Sequence, residues 1–328
     1  MTPPERLNNP AAGIAFIFFA MAAISLNDML IKLLSGGYPL HQMIFIRSAI
    51  GICFSIAILQ FEGGWSMLRT RQPGLHLIRA LLLVVANMSF FAALASLPLA
   101  DTTAIAYVAP LVITLLSWPM LGEKVGPLRM GAVIVGFVGV IIVIQPWQTS
   151  GGRDAPFIVY LLPVVAAVAY ALNSLLTRLL GVTSKPSAMA FYIQATFLLV
   201  SISFWIFAGD GRYAEGLEDE SLIFLLRAWV WPEEADIWLF AVLGLTSGMV
   251  GYTIAAAYRL ADASTIATYE YVGLPMAIFW GWLIFGELPG FGPAAGILLI
   301  LGSGVFVFIR EGQKKRRIAS AKPIQRRY

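Results

Sequence analysis

Apolar residues fall into ten long runs along this chain, at about residues 11–34, 41–60, 75–97, 101–121, 128–145, 157–180, 187–208, 237–259, 262–285 and 291–310. Short polar or glycine- and proline-bearing connections separate them. A helix needs roughly 17 to 25 such residues to cross the hydrocarbon of a bilayer. The pattern therefore predicts an all-α membrane protein of ten transmembrane helices. One connection is longer, roughly 209–236, and contains Ser221–Trp231. That segment is too short to span, and Trp229 and Trp231 suit a helix lying at the membrane surface. A re-entrant segment is the alternative.

The runs carry an internal repeat. Asn27-Asp28-Met29-Leu30-Ile31-Lys32-Leu33-Leu34 returns as Asn173-Ser174-Leu175-Leu176-Thr177-Arg178-Leu179-Leu180, a shift of 146 (173 − 27). Leu99-Ala100-Asp101 returns as Leu260-Ala261-Asp262, and Gly122-Glu123 as Gly286-Glu287. The expected units are 11–145, 157–310 and a basic tail, 311–328. Each unit holds five spans, and because five is odd the second enters the membrane from the opposite side. Inverted repeats of this kind hold a ligand near the bilayer midplane and open alternately to either face.

Composition and charge sharpen this picture. Hydrophobic residues make up 59% and charged residues 12% of the 328, far from a soluble domain. A cytoplasmic amino terminus puts 17 of the 22 Lys and Arg residues at the inner face, all but Lys32, Arg47, Arg153, Arg212 and Arg227. The positive-inside rule favours that orientation, with both termini in the cytoplasm. The net charge of +4 thus reports orientation, and no nucleic-acid partner is expected. No cleavable signal peptide is expected ahead of the first span. Cys53 is the only cysteine, so neither an internal disulfide nor a thiolate metal cluster is available. No HExxH, GxSxG or phosphate-binding glycine loop is present. Neither catalysis nor ATP-driven pumping by this chain is expected, and no cofactor or metal.

The candidate site residues are polar or aromatic groups inside spans. Thr103, Tyr107, Pro110 and Thr114 form one helical stripe in the fourth span, echoed by Ser264, Thr268, Tyr271 and Pro275 in the ninth. Facing stripes would line a polar cavity, with the prolines freeing carbonyls for a ligand or hinge. Helix–helix packing is the alternative. Glu270 is the carboxylate deepest in any span and suits proton coupling, or a structural hydrogen bond made while protonated. Asp28 and Lys32 stand at pairing distance along a helix. They suit a gate or a ligand contact, unless Lys32 snorkels to the interface. Asn27 and Asn173 are repeat-related amides that must be satisfied, by gating or by substrate. Arg47 lies deep enough in the second span to need a partner. Asn87, Tyr252 and Trp280 offer polar and aromatic walls, although aromatics at helical spacing also serve packing.

These features resemble a known family. Pro98-Leu99-Ala100-Asp101-Thr102-Thr103-Ala104, Ala109-Pro110 and Leu121-Gly122-Glu123, then Ala257-Tyr258-Arg259-Leu260-Ala261-Asp262-Ala263-Ser264 and Phe285-Gly286-Glu287, are similar to the EamA type of the drug/metabolite transporter superfamily. The resemblance implies a secondary carrier in the bacterial inner membrane, with a central cavity between the halves. Its ligand would be a small organic metabolite such as an amino acid, a vitamin or a nucleotide-like compound, with proton or other gradient coupling. Riboflavin or S-adenosylmethionine uptake lies within that range. The competing class is a membrane-embedded enzyme or a non-transporting scaffold.

Overall fold

The computed structural model describes residues 10–69, 72–122, 126–147, 155–180, 186–260 and 269–320, and these are all-helical, with no strand among them. The helices are α1 (Pro10–Leu34), α2 (Leu40–Glu62), α3 (Pro73–Ser96), α4 (Leu99–Ala106), α5 (Ala109–Leu121), α6 (Pro127–Ile144), α7 (Phe157–Leu180), α8 (Pro186–Ala208), α9 (Glu220–Leu226), α10 (Ile237–Leu260), α11 (Gly273–Phe285) and α12 (Phe291–Ser320). Seven segments are long and apolar enough to cross a membrane, with Leu99–Met120 counted as one. Three shorter apolar helices follow at Ile237–Val250, Gly273–Phe285 and Phe291–Val307. Expected candidates Ser264 and Thr268, the side chain of Tyr252, and tail residues 321–328 lie outside the described residues.

Local chemistry sets the helix ends. Proline opens α3 and α6, where its missing N–H costs nothing and its φ is already helical. α5 and α11 each run 13 residues and stop at a left-handed glycine, Gly122 (φ 67°) and Gly286 (φ 66°). A side chain at either position would be strained.

The helix expected over 101–121 is two helices. Regular structure stops at Ala106 and resumes at Ala109, leaving Tyr107 and Val108 in a turn. The break comes ahead of Pro110, because proline sits without strain in the first turn of the helix it begins. Tyr271 and Val272 form the equivalent turn before α11.

The most extensive contacts join α6 with α12, α3 with α7, α1 with α10 and α2 with α8. At the α6–α12 crossing, Gly139 and Gly296 bring backbones together. A Cβ on Gly296 would lie 2.6 Å from the carbonyl oxygen of Gly139, and one on Gly139 would lie 2.8 Å from that of Gly296. Backbone cannot step aside as a side-chain tip can, so Gly296→Ala must spread the helices. The expected cost is about 1–3 kcal/mol, measured as loss of thermal stability in detergent, whereas Gly302→Ala, facing open space, should be neutral.

The connection between α8 and α10 does not form an eleven-residue surface helix. Its helix, α9, ends at Leu226 and docks on the bundle, burying Phe224 to 1% exposure. Asp219 caps it by accepting from the Leu222 amide at 2.9 Å. Gln42 then pairs with Val230 through both ends of its amide, at 2.6 and 3.1 Å. Trp229 packs against His41, Phe45 and Trp205, while Trp231 stays exposed. Tyr38 donates to Asp236 at 2.7 Å and accepts from the Glu233 amide at 2.9 Å. Burial holds its phenol above the ordinary tyrosine range, with the Glu233 N–H opposing and Asp236 adding to the shift. Specific polar partners thus outweigh the interfacial preference of tryptophan.

Candidate functional site

Two helix breaks meet at the centre of the bundle. The rings of Tyr107 and Tyr271 lie 5.5 Å apart, inclined at 46°. Tyr107 Oη donates to the backbone carbonyl of Glu270 at 3.0 Å, a group that the broken helix leaves available. The same hydroxyl lies against Gly273, and the Tyr271 hydroxyl against Gly304 of α12. Both glycines are therefore required by the close approach of a tyrosine rather than by their own φ. Glu270, Asp28 and Tyr170 all act electrostatically on the Tyr107 hydroxyl, so five polar side chains from α1, α7 and the two breaks converge.

Asp28 is half-buried in α1 and makes no hydrogen bond or ion pair to a described residue. The lipid side of α1 is marked by Phe19, Ala22 and Leu33. At about 100° per residue, Asp28 points the opposite way, on the stripe of Met21, whose sulfur lies 4.0 Å from Tyr107 Oη. Asp28 thus faces the interior of the bundle while keeping accessible surface.

Beside it stands Arg47 of α2, only 6% exposed. Its guanidinium donates to Asn27 Oδ1 at 3.2 Å and, more weakly, to Asn87 Oδ1 at 3.5 Å. The rings of Phe91 and Phe197 lie 5.5 and 5.4 Å from it, a cation–π cradle that helps to offset desolvation. Asp28 and Arg47 attract one another. Asn27 completes the node by donating to Leu243 O at 3.1 Å and Thr246 Oγ1 at 3.3 Å of α10. Asn87 donates to Leu83 O at 3.0 Å. The two amides thus hold the arginine, and the arginine ties α1, α2, α3 and α10 together.

Lys32 does not pair with Asp28. Its Nζ lies 2.8 Å from both carboxylate oxygens of Glu287 and 2.7 Å from Leu97 O, with the Phe285 ring at 5.0 Å. Glu287 Oε2 also accepts from the Leu99 amide at 3.1 Å. One partly buried ion pair thereby caps the end of α3 and the start of α4 while binding α1 to the end of α11. A local i, i+4 partner loses to one 255 residues away because at that site Lys32 also donates to Leu97 O and Glu287 also accepts from the Leu99 amide.

The remaining expected residues are dispersed around this centre. Thr103 is buried in α4, with its hydroxyl unpartnered among the described residues, and Thr114 donates to Pro110 O at 3.0 Å. Pro110 and Pro275 sit in the first turns of α5 and α11. Asn173 is half-buried on α7, and Trp280 packs edge-on with Phe279. Tyr170 is a central residue that sequence reasoning missed. Its only signal was a phenol three residues before Asn173. Among the described residues no group of three or more His, Cys, Asp and Glu could hold a metal ion.

Comparison with known proteins identifies the family. Residues 11–145 match the EamA-like transporter family. A riboflavin transporter of Vibrio cholerae is 31% identical, covering 86% of this chain and 87% of its own. Another riboflavin transporter, from Rhizobium johnstonii, is 28% identical over 93% of this chain and 92% of its own. An S-adenosylmethionine uptake transporter of Rickettsia prowazekii is 24% identical over 94% and 96%. One solved crystal structure covers 94% of this chain and 99% of its own, with a TM-score of 0.62 at 20% identity, which is a likeness of fold. The chain belongs to the EamA-like transporter family of the drug/metabolite transporter superfamily and is an integral membrane transporter of a small molecule.

Proposed function

We propose that this chain is an alternating-access carrier built from two inverted five-helix repeats, 11–145 and 157–310, which takes up a riboflavin-like metabolite across the bacterial inner membrane. The observation that carries the reading is the meeting of Tyr107 and Tyr271 at matched helix breaks. A shift of 164 (271 − 107) superimposes Tyr107-Val108 on Tyr271-Val272, α5 on α11 and Gly122 on Gly286. That register pairs Glu270 with Ala106 and offsets Pro110 from Pro275 by one residue. The contact pairs are reciprocal too: α3 with α7 answers α1 with α10, and α5 with α7 answers α1 with α11. The basic residues favour cytoplasmic termini, which makes the Lys32–Glu287 end the outer one. Joining the halves there, this pair is a gate that must part for the cavity to open outward.

The site suits a planar, hydroxyl-bearing heterocycle. The partly exposed Tyr107 ring offers a stacking surface, backed by Tyr271 at 4% exposure, while Asp28, Glu270 and the Tyr107 phenol offer acceptors for hydroxyl and imide donors. Three relatives named riboflavin transporters support this ligand. A second reading, S-adenosylmethionine, is favoured by the two carboxylates at the centre, which suit a cation. Uptake of each labelled compound into proteoliposomes, with and without an inward proton gradient, separates the two. Saturable riboflavin uptake supports the first reading, and uptake of S-adenosylmethionine alone replaces it with the second. No uptake of either ligand under any gradient sinks both. Glu270 is assigned the coupling proton. Glu270→Gln is then expected to abolish the response to the gradient while leaving exchange intact, and an unaltered response removes that role.

A further inference from the structure

We propose that Tyr170 forms the substrate-stacking wall of the central cavity, opposite the Tyr107–Tyr271 pair, and selects for a planar aromatic ring. The inference rests on the flavin reading for the identity of the ring but not for the existence of the wall.

The lipid side of α7 is marked by Ile158, Val165 and Val168, at 64%, 45% and 37% exposure. At about 100° per residue, Tyr170 lies roughly 120° to 160° away from all three. It falls among Val159, Pro163, Ala166 and Ala167, which are buried. A residue in the middle of a buried stripe should be buried as well. Tyr170 is instead 47% exposed, so the surface it shows is that of an internal opening rather than the lipid face.

Its neighbours identify the opening. Tyr170 stands in the electrostatic field of Glu270, and it acts in turn on the Tyr107 hydroxyl. Its own hydroxyl has no protein partner among the described residues. Close-packed interiors leave few aromatic faces uncovered, and a phenol turned toward the inside of a bundle ordinarily finds a hydrogen-bond partner. Both needs are met at once by a ligand that presents a π-face and a polar edge.

The repeat adds a reason for selectivity. The 146-residue shift carries Tyr170 back to Ile24, so this wall exists on one side of the cavity only. Asp28 against Ser174 is the reciprocal asymmetry. A planar ligand is thereby given unlike surroundings on its two sides, with one acidic edge, and so a single preferred orientation.

The test has two arms on the full-length protein. In a Cys53→Ala background, Tyr170→Cys is expected to react with a charged, water-soluble thiosulfonate, whereas Val168→Cys, facing lipid, is not. An unreactive Tyr170→Cys, or equal reaction at both positions, overturns the proposal whatever the substrate. In the second arm, riboflavin fluorescence is titrated with purified protein, since stacking on an aromatic ring quenches the flavin. Tyr170→Phe should retain quenching with affinity within about threefold of wild type. Tyr170→Leu should lose most of the quenching and at least tenfold in affinity, about 1.4 kcal/mol, with its melting temperature unchanged. Wild-type quenching and affinity in Tyr170→Leu overturn the proposal. If wild type binds no riboflavin while Tyr170→Cys reacts, the flavin reading fails and the cavity wall stands.

Discussion

Glu287→Ala is expected to abolish most transport and to destabilise the protein by about 1.5–3 kcal/mol, the scale of losing hydrogen bonds to a charged group. Lys32 is the reason. Its side chain is 10% exposed and that of Glu287 31%, so the ammonium left behind is held away from water. It keeps Leu97 O and the Phe285 ring but loses the carboxylate that balances its charge. The first amide of α4 loses its cap as well. Glu287→Gln should fall between wild type and alanine, because a neutral oxygen still accepts from Lys32 and Leu99. The charge-swapped pair Lys32→Glu with Glu287→Lys should not restore wild-type behaviour. It would set a carboxylate against the Leu97 carbonyl and an ammonium against the Leu99 N–H. Thermal unfolding in detergent together with proteoliposome uptake measures each variant. Full recovery in the swap would mean that only the charge pair matters and that the two helix caps contribute nothing.

Arg47→Met is the second change with a large expected effect, about 2–5 kcal/mol from two amide acceptors left without their donor, with uptake falling at least tenfold. Methionine fills part of the space between Phe91 and Phe197. It leaves Asn27 Oδ1 and Asn87 Oδ1 without their donor and Asp28 without its counter-charge. Arg47→Lys should recover little. An ammonium is a single compact charge and cannot reach two amides from different helices as a guanidinium fork does. Removing the orphaned acid should help, so Asp28→Asn with Arg47→Met is expected to be more stable than Arg47→Met alone. A double-mutant cycle on melting in detergent reads that coupling. Strictly additive losses would show that Asp28 and Arg47 do not sense each other.

Much of the architecture was legible because hydrophobic run length is a local property. Each apolar stretch had to become a helix, since a bilayer leaves no other way to satisfy its backbone groups. The break at Tyr107 was half legible. Pro110 announced an interruption, but a proline in the first turn marks where a helix begins, and the turn itself lies upstream. The docked α9 was misread because Trp229 and Trp231 suggest an interface, while the partners that hold this connection, Gln42 and Tyr38, are some 190 residues away. Tyr170 went unnoticed for a related reason. One tyrosine in an apolar span looks like packing until its exposure can be compared with that of its neighbours on the helix.

Several central polar residues were recognisable from cost alone. Asp28, Lys32, Arg47 and Glu270 are charged groups within or at the ends of apolar runs, where an unpaired charge is not tolerated. The identity of each partner was not recognisable. Along the sequence, Lys32 has Asp28 one helical turn away, and only the packed bundle brings in Glu287 with Leu97 and Leu99. By itself the sequence determined that this chain is helical, enters a membrane, carries a doubled pattern and buries charge, because run length, repetition and desolvation are fixed by residue type and spacing. Only the tertiary structure decided which charges pair, where the helices break and which aromatic faces stay open. Those outcomes depend on contacts between residues 20 to 255 positions apart, whose geometry no local pattern encodes.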